Sequence, residues 1–484
     1  MNMNRRDFLA ASGITLAAAS AGNAAARITR RSRTKPNILW IMTDQQVVDG
    51  MSCAGNPDLK TPAMDSLAAA GVRFERAYCA NPICVPSRTS MMTGKMPHET
   101  GVTLNMDHFD VNGQSLGTLI TRAGYDTGYI GKWHIPMPTD TSDWHGFTHM
   151  MEGTKAFNDQ HFAAPVIDFI KRKRAKPFFA VASFVNPHDI CEWARQATGG
   201  FPERRTLLWN GSIADTPPPA ECPALPDNFQ IPENEPDIIR EYQTWQAGTY
   251  PVRDWPDDRW RQYRWALNRL TERVDSEIAK ILDALRANGM DENTLIIFTS
   301  DHGDGNGAHK WNQKTLFYEE SARVPFIISG PGIRNPGAVD TEHLIATGID
   351  IFPTVCDYAG VTLPAELRGK SLRPLAENRP VQWRDQLVAE NDLSPAYGFS
   401  SGIEGRMLRT KNYKYVAYST GKLRERLTDM RTDPGEMINL AVKPAHQTIL
   451  QEHRQRLADE LQKTNDAFVV PGTVSNGWKL SPTT

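Results

Sequence analysis

Cysteine is scarce: six in 484 residues are too few to staple a chain of this length as a disulfide scaffold. Net charge is nearly absent too. Lys and Arg number 54 against 56 Asp and Glu, a formal −2 at neutral pH, which argues against a dedicated nucleic-acid binder. No stretch approaches the roughly 18 uninterrupted apolar residues of a membrane span, and no repeat period appears. Hydrophobic residues make up 40% of the chain, and leaving out the 12 Tyr while counting the 35 Gly gives about 45%, the globular norm. That excludes disorder and a collagen-like chain. What is there is a large soluble chain, most simply an enzyme, with room for two to four domains at about 100–200 residues each.

Residues 1–26 read as an address. Arg5-Arg6 precedes Phe8-Leu9, a weakly apolar run reaches Ala21, and Asn23-Ala24-Ala25-Ala26 closes it. The layout is a positive start, a short apolar stretch and a small-residue cleavage site, and the paired arginines resemble a twin-arginine export signal. The reading is a periplasmic or secreted protein without a membrane anchor.

The rest alternates. Asn37–Thr43 is a continuous apolar run ending at an acid, as suits a strand buried on both faces of a parallel sheet. Tyr125–Ile130, Pro177–Val185, Leu295–Ser300 and Val324–Ser329 are similar, and between them lie helical patterns. In the clearest, Asp257–Asn288, an apolar stripe runs from Leu267 to Leu285 and Gly289 is the stop. The fold class expected is α/β: a large mixed, mostly parallel sheet sandwiched by helices, with ligands at the strands' carboxyl ends. Residues 35–375 form the catalytic domain in this reading, and 376–484 a smaller C-terminal α+β subdomain.

Residues 191–256 interrupt the pattern. They hold ten of the 33 prolines, and Trp193, Trp209, Trp245, Trp255, Trp260 and Trp265 cluster in and just after them. Such a stretch is either a substrate-facing flap with rings for flat sugar faces or a surface insertion anchored by buried aromatics.

The chemistry concentrates in Cys84-Val85-Pro86-Ser87-Arg88 followed by Thr93-Gly94. Pro86 suits the first position of a helix, which puts Cys84 at or near an N-terminus that favours anions. Arg88, one turn on, offers a cation to an oxyanion. Taken alone, this is an anion site with a reactive cysteine, or a structural cysteine beside a helix.

Four further stations follow: Thr43-Asp44-Gln45, Gly131-Lys132-Trp133-His134, Asn186-Pro187-His188-Asp189, and Ser300-Asp301-His302-Gly303-Asp304 with Lys314 beyond it. With the Cys-x-Pro-Ser-Arg run they resemble, in order, the type I, formylglycine-dependent sulfatases of the alkaline phosphatase superfamily. The resemblance implies an alkaline-phosphatase-like fold and hydrolysis of sulfate esters. It implies that Cys84 is oxidised to formylglycine (3-oxoalanine) by a formylglycine-generating or anaerobic sulfatase-maturating enzyme. The hydrated aldehyde is then the nucleophile, and its second hydroxyl expels sulfate. A thiol or simple alcohol that attacked sulfur would stay sulfated.

The same resemblance assigns roles. Asp44, Gln45, Asp301, His302 and residue 84 would hold a cation, Ca²⁺ or else Mg²⁺ or Mn²⁺, as hard oxygen donors at a sheet edge suggest. Gln45 and His302 stand where many members carry Asp and Asn, so the site has one negative charge fewer. Arg88, Lys132 and Lys314 would hold the sulfate. His188 would protonate the leaving alcohol, and His134 would assist sulfate release. Lys132 and His134, alternate residues past a strand, both face the cleft if the chain stays extended. Asp304 reads as a supporting or turn residue.

Export and the tryptophans favour a saccharide, and the Asn186–Trp193 segment resembles segments of bacterial polysaccharide and glycosaminoglycan sulfatases, so a sulfated saccharide is the expected substrate. An aryl or choline sulfatase, a phosphonate or phosphate diester hydrolase, and a catalytically silent sulfated-glycan binder are the alternatives.

Overall fold

The computed structural model describes residues 35–107, 115–140, 142–153, 159–196, 213, 216–248, 250, 252–393 and 401–473. The export segment 1–26, Trp209 and residues 474–484 lie outside them. Among the described residues no helix is long and apolar enough to cross a membrane.

The strands up to residue 346 are β1 (Asn37–Asp44), β2 (Gly71–Phe74), β3 (Ala77–Tyr78), β4 (Asp126–Gly131), β5 (His149–Glu152), β6 (Phe178–Pro187), β7 (Thr294–Ser300), β8 (Phe326–Ser329), β9 (Ala338–Asp340) and β10 (Ile345–Ala346). Eight of them form one sheet in the order β5-β4-β6-β1-β7-β8-β2-β9, and β3 pairs with β10 apart from it. All neighbours run parallel except at β8, which is antiparallel to both β7 and β2. The expected mixed, mostly parallel sheet is therefore present.

The apolar runs are continuous because both faces of the sheet are covered. Along β1, Ile38, Trp40 and Met42 face one core, and Leu39 and Ile41 face the other. The first core is closed by α2 (Cys84–Thr93) and α7 (Thr347–Ala359), through Met91, Met92, Phe352 and Val355. The second is closed by α1 (Pro62–Ala70), α3 (Ala163–Lys171) and α6 (Asp257–Ala287), with Val274, Ile278, Ile281 and Leu285 supplying the stripe read from sequence. Between α3 and α6 lie α4 (Ile190–Gln196) and α5 (Asp237–Trp245).

Trp193, Trp255 and Trp260 meet edge-on around Tyr263, with Trp193 and Trp260 buried and the Arg259 guanidinium 3.8 Å above the Trp193 ring. These rings anchor the insertion onto α6, with Trp193 and Trp260 in the core and Trp255 partly buried beside them.

Beyond residue 376 a four-stranded antiparallel sheet follows, β11 (Gln386–Leu393), β12 (Ile403–Thr410), β13 (Tyr413–Tyr418) and β14 (Glu425–Asp429), with α8 (Gln447–Thr464) packed through Leu450, Leu457 and Leu461. β11 hides in the sequence because Glu390, Asn391 and Asp392 are buried polar residues in it. Glu390 accepts from His98, and the Asn391 amide donates to the Thr315 carbonyl at 2.7 Å.

Candidate active site

Parallel pairing brings the carboxyl ends of β1, β4, β6 and β7 to one edge. Asp44 ends β1, Lys132 follows β4, His188 follows β6 and Asp301 follows β7. Helix α2 starts there, with Cys84 as its first residue and the Ser87 amide donating back to the Ile83 carbonyl. Pro86 is thus third in the helix, still among the positions whose N–H would lack an intrahelical partner.

Cys84 Sγ is the centre. It lies 2.9 Å from Lys314 Nζ, 3.2 Å from His302 Nε2, 3.8 Å from Asp44 Oδ1 and 3.9 Å from Lys132 Nζ. Burial and Asp44 oppose ionisation of the thiol, but Lys132, Lys314 and His302 outweigh them and push its pKa well below the ordinary value. Burial opposes the charge on Lys314, yet Cys84 and Asp44 raise its pKa, so it stays an ammonium. For Asp44, burial is outweighed by Lys132, His188, Arg88 and Lys314, which hold it ionised. The imidazole of His188 is pushed down by burial and by Lys132 and Lys314.

Arg88 turns inward. Its Nε donates to Asp301 Oδ2 at 2.7 Å, Nη2 to Asp44 Oδ2 at 3.0 Å, and Nη1 to the Lys132 carbonyl and Ser183 Oγ at 2.8 and 2.9 Å. It is almost wholly buried, so it fixes the two carboxylates instead of facing an incoming oxyanion. Lys132 Nζ reaches Asp44 Oδ2 at 2.5 Å and remains partly open to solvent.

Asp44, Cys84, Asp301 and His302 place one ligand atom each within 4.8 Å of all the others. The His302 Nε2 separations, 3.9 Å to Asp44 Oδ1 and 3.6 Å to Asp301 Oδ1, suit neighbours around one cation. The donor set therefore fits a divalent ion. Gln45 is adjacent, in a left-handed conformation at φ 67°, with its backbone amide donating to Asp301 Oδ1 at 3.2 Å. Its side-chain nitrogen donates to Asp304 Oδ2 at 2.7 Å, and its Oε1 accepts from the Cys191 thiol at 3.5 Å.

Comparison with known proteins decides what this arrangement is. The sulfatase family model matches residues 36–361, and the model described as N-sulphoglucosamine sulphohydrolase, C-terminal, matches 307–463. The chain belongs to the sulfatase family. It is a sulfuric ester hydrolase. It is 30% identical over 458 residues to the Delta 4,5-hexuronate-2-O-sulfatase of Bacteroides thetaiotaomicron, covering 90% of this chain and 91% of that one. A solved 2-O GAG sulfatase superposes with a TM-score of 0.77 at 30% identity, over 89% of this chain and 93% of that one. A further structure, solved in complex with its substrate D-glucosamine-2-N,6-O-disulfate, gives 0.75 at 25% identity, over 91% of this chain and all of that one.

The site of this sulfatase gathers Asp44, Cys84, Arg88, Lys132, Asp301, His302 and Lys314 around one thiol. His134 also reaches the Cys84 thiol through its ring, and His188 faces the Lys132, Lys314, Asp44 and Cys84 charges. The chain does not stay extended after β4: His134 is left-handed at φ 48° and exposed at the rim, though its ring still feels the Cys84 and Lys132 charges. His188 is part-exposed, and among the described residues no hydrogen-bond partner meets its Nδ1.

Two contributors escaped the sequence reading. Tyr263 Oη donates to Asp304, 2.9 Å from both carboxylate oxygens, and Ser183 Oγ sits under Arg88. Ser183 lay within a predicted strand near its carboxyl end, a usable signal. Tyr263 sits in the apolar stripe of α6, and nothing in its spacing marks it. All six cysteines are free.

Proposed function

We propose that this sulfatase releases inorganic sulfate from a sulfated saccharide or polysaccharide fragment, using residue 84 as formylglycine. The observation that carries the reading is the convergence of Lys314, Lys132, His302 and Asp44 on a buried cysteine at the first turn of a helix. The saccharide rests on the hexuronate, GAG and glucosamine disulfate relatives. Formylglycine, as its hydrate, would supply an oxygen nucleophile and a second hydroxyl. A cation held by Asp44, Asp301 and His302, with Gln45 and residue 84 beside them, would supply positive charge against the sulfate oxygens; Ca²⁺ suits the carboxylates.

In this reading the chain's own residues do the following. Arg88 locks the Asp44 and Asp301 carboxylates. Lys132 and Lys314 stay charged to bind the sulfate oxygens and stabilise the charge that grows on them. His188, whose pKa recovers once bound sulfate offsets the Lys132 and Lys314 charges, carries the proton to the leaving saccharide oxygen, and His134 at the rim accepts the proton that accompanies sulfate release.

The wider proposals complete it. Residues 1–26 form a twin-arginine-type signal that sends the folded enzyme to the periplasm or beyond. Residues 35–375 carry catalysis, 376–484 form the α+β companion, and a sulfatase-maturating enzyme converts Cys84. The test is sulfate release from a panel of sulfated mono- and oligosaccharides, with an aryl sulfate and an aryl phosphonate in parallel. Fastest turnover of a sulfated sugar supports the reading, and turnover of the phosphonate alone overturns it.

A further inference from the structure

The loop that carries Lys314 is unusual in its backbone. Five non-glycine residues in it are left-handed: Asn306, His309, Lys310, Gln313 and Thr315, with φ of 47°, 56°, 51°, 63° and 87°. Two of them flank Lys314 directly. Such conformations persist only where the surroundings over-determine them.

Much of that constraint comes from α5 and the segment leading to it, inside the proline-rich stretch. The His309 and Lys310 amides donate to the Asn228 and Phe229 carbonyls at 2.8 and 2.9 Å. Arg240 Nη2 donates to the His309 carbonyl and Gln243 Nε2 to the Lys310 carbonyl, both at 2.8 Å. Between these two residues of α5, Tyr242 stacks on Trp311 with centroids 5.9 Å apart, and the Trp311 indole donates to the Lys314 carbonyl at 3.3 Å.

The two donors are themselves held. Glu235 grips Arg240 at Nε and Nη2, at 2.6 and 2.8 Å, and Arg240 Nη1 donates to Gln243 Oε1 at 2.9 Å. That last bond fixes the orientation of the Gln243 amide, so its nitrogen faces the loop. Asn228 adds a cross-tie, donating to Glu320 Oε1 at 2.8 Å. On the far side of the loop, the Thr315 amide and carbonyl are tied to Pro82 and Asn391.

We propose that Arg240 and Gln243 are positioning residues for Lys314, acting through the His309–Lys310 carbonyls to hold its ammonium against residue 84. The part of the insertion that contains them is then a strap on the catalytic loop. The inference rests on the reading above that Lys314 binds the sulfate.

A double-mutant cycle tests it. Arg240→Met, Lys314→Ala and the pair are compared in kcat/KM on the aryl sulfate or sulfated saccharide turned over fastest, with melting temperatures recorded. Displacing a binding group by about an ångström can lower the rate about a hundredfold. Arg240→Met is therefore expected to lower kcat/KM about ten- to a hundredfold alone and by less than about twofold in the Lys314→Ala background. Arg240→Lys, which keeps one donor, recovers part of the loss. If Arg240→Met does not fold, Gln243→Met is put through the same cycle, with a smaller loss of the same pattern expected. Equal losses in both backgrounds, or a folded variant with undiminished kcat/KM, overturn the proposal while leaving the role of Lys314 intact. Full activity in Lys314→Ala alone overturns the role of Lys314 and the strap with it.

Discussion

Arg88 and Asp301 meet through a single charge-assisted bond, Nε to Oδ2 at 2.7 Å, with both side chains almost completely removed from solvent. The same guanidinium spans to Asp44 at 3.0 Å. One buried cation thus sets the spacing of the two carboxylates proposed to hold a metal. Breaking a buried pair by removing one partner leaves uncompensated charge, a loss of about 3–5 kcal/mol. Arg88→Gln is expected to lower stability by about that much and activity at least a hundredfold. Urea unfolding and sulfate release measure both; an active Arg88→Gln variant of normal stability contradicts the arrangement.

Gly303 sits between His302 and Asp304, where a Cβ would stand 1.9 Å from the Glu320 carbonyl oxygen. Its amide also donates to the Ser321 carbonyl at 2.8 Å. Gly303→Ala must push its loop away from the Glu320–Ser321 backbone, at about 1–3 kcal/mol. Activity is expected to fall more than stability, because Asp301 and His302 move with the shift. Comparing kcat/KM with the denaturation midpoint checks this.

Removing the cation should soften the site. Chelation is expected to lower the melting temperature by several degrees and activity in parallel, with Ca²⁺ restoring both, since a ligand at a hundredfold above its Kd stabilises by about 2.7 kcal/mol. Asp301→Asn should abolish the Ca²⁺-dependent rise. A melting temperature indifferent to chelator and cation, in protein shown to be metal-free, counts against the donor set.

His98 supplies a pH dependence away from the site. Its Nδ1 lies 2.6 Å from Glu390 Oε1 and its Nε2 3.0 Å from the Thr464 carbonyl, tying β11 to the end of α8. Burial opposes the imidazolium, but the Glu390 hydrogen bond and charge, and then Asp466, raise its pKa above the ordinary 6.5. A His pKa raised by folding means the contribution is complete below 6.5 and lost as pH rises through the folded value. The stability gap between wild type and His98→Gln should be widest near pH 6 and narrow toward alkaline pH. Denaturant midpoints across that range measure it.

Much of this was legible in the sequence for one physical reason. Strands buried on both faces read as unbroken apolar runs, so β1, β4, β6 and β7 stood out, and the polar residues after them fell at one edge. Direction within the site did not follow. The sequence points Arg88 toward the substrate, but Asp44 and Asp301, far apart in sequence on the paired strands β1 and β7, draw it inward. The extended path expected from Lys132 to His134 gives way to a left-handed turn, and the Gln45 amide spends its donor on Asp304. β11 stayed hidden because its buried polar residues answer partners far away in sequence, His98 and Thr315. The tryptophans after residue 191 gave no direction either; Trp193 and Trp260 turned out to be core.

The central claim is that residue 84 is the nucleophile in its oxidised form, and sulfate release by Cys84→Ala measured beside the wild type tests it most directly. The account predicts release from the wild type and none from the variant, with an unchanged circular dichroism spectrum and melting temperature within a few degrees. A folded Cys84→Ala enzyme that still releases sulfate at a rate comparable to wild type would contradict it.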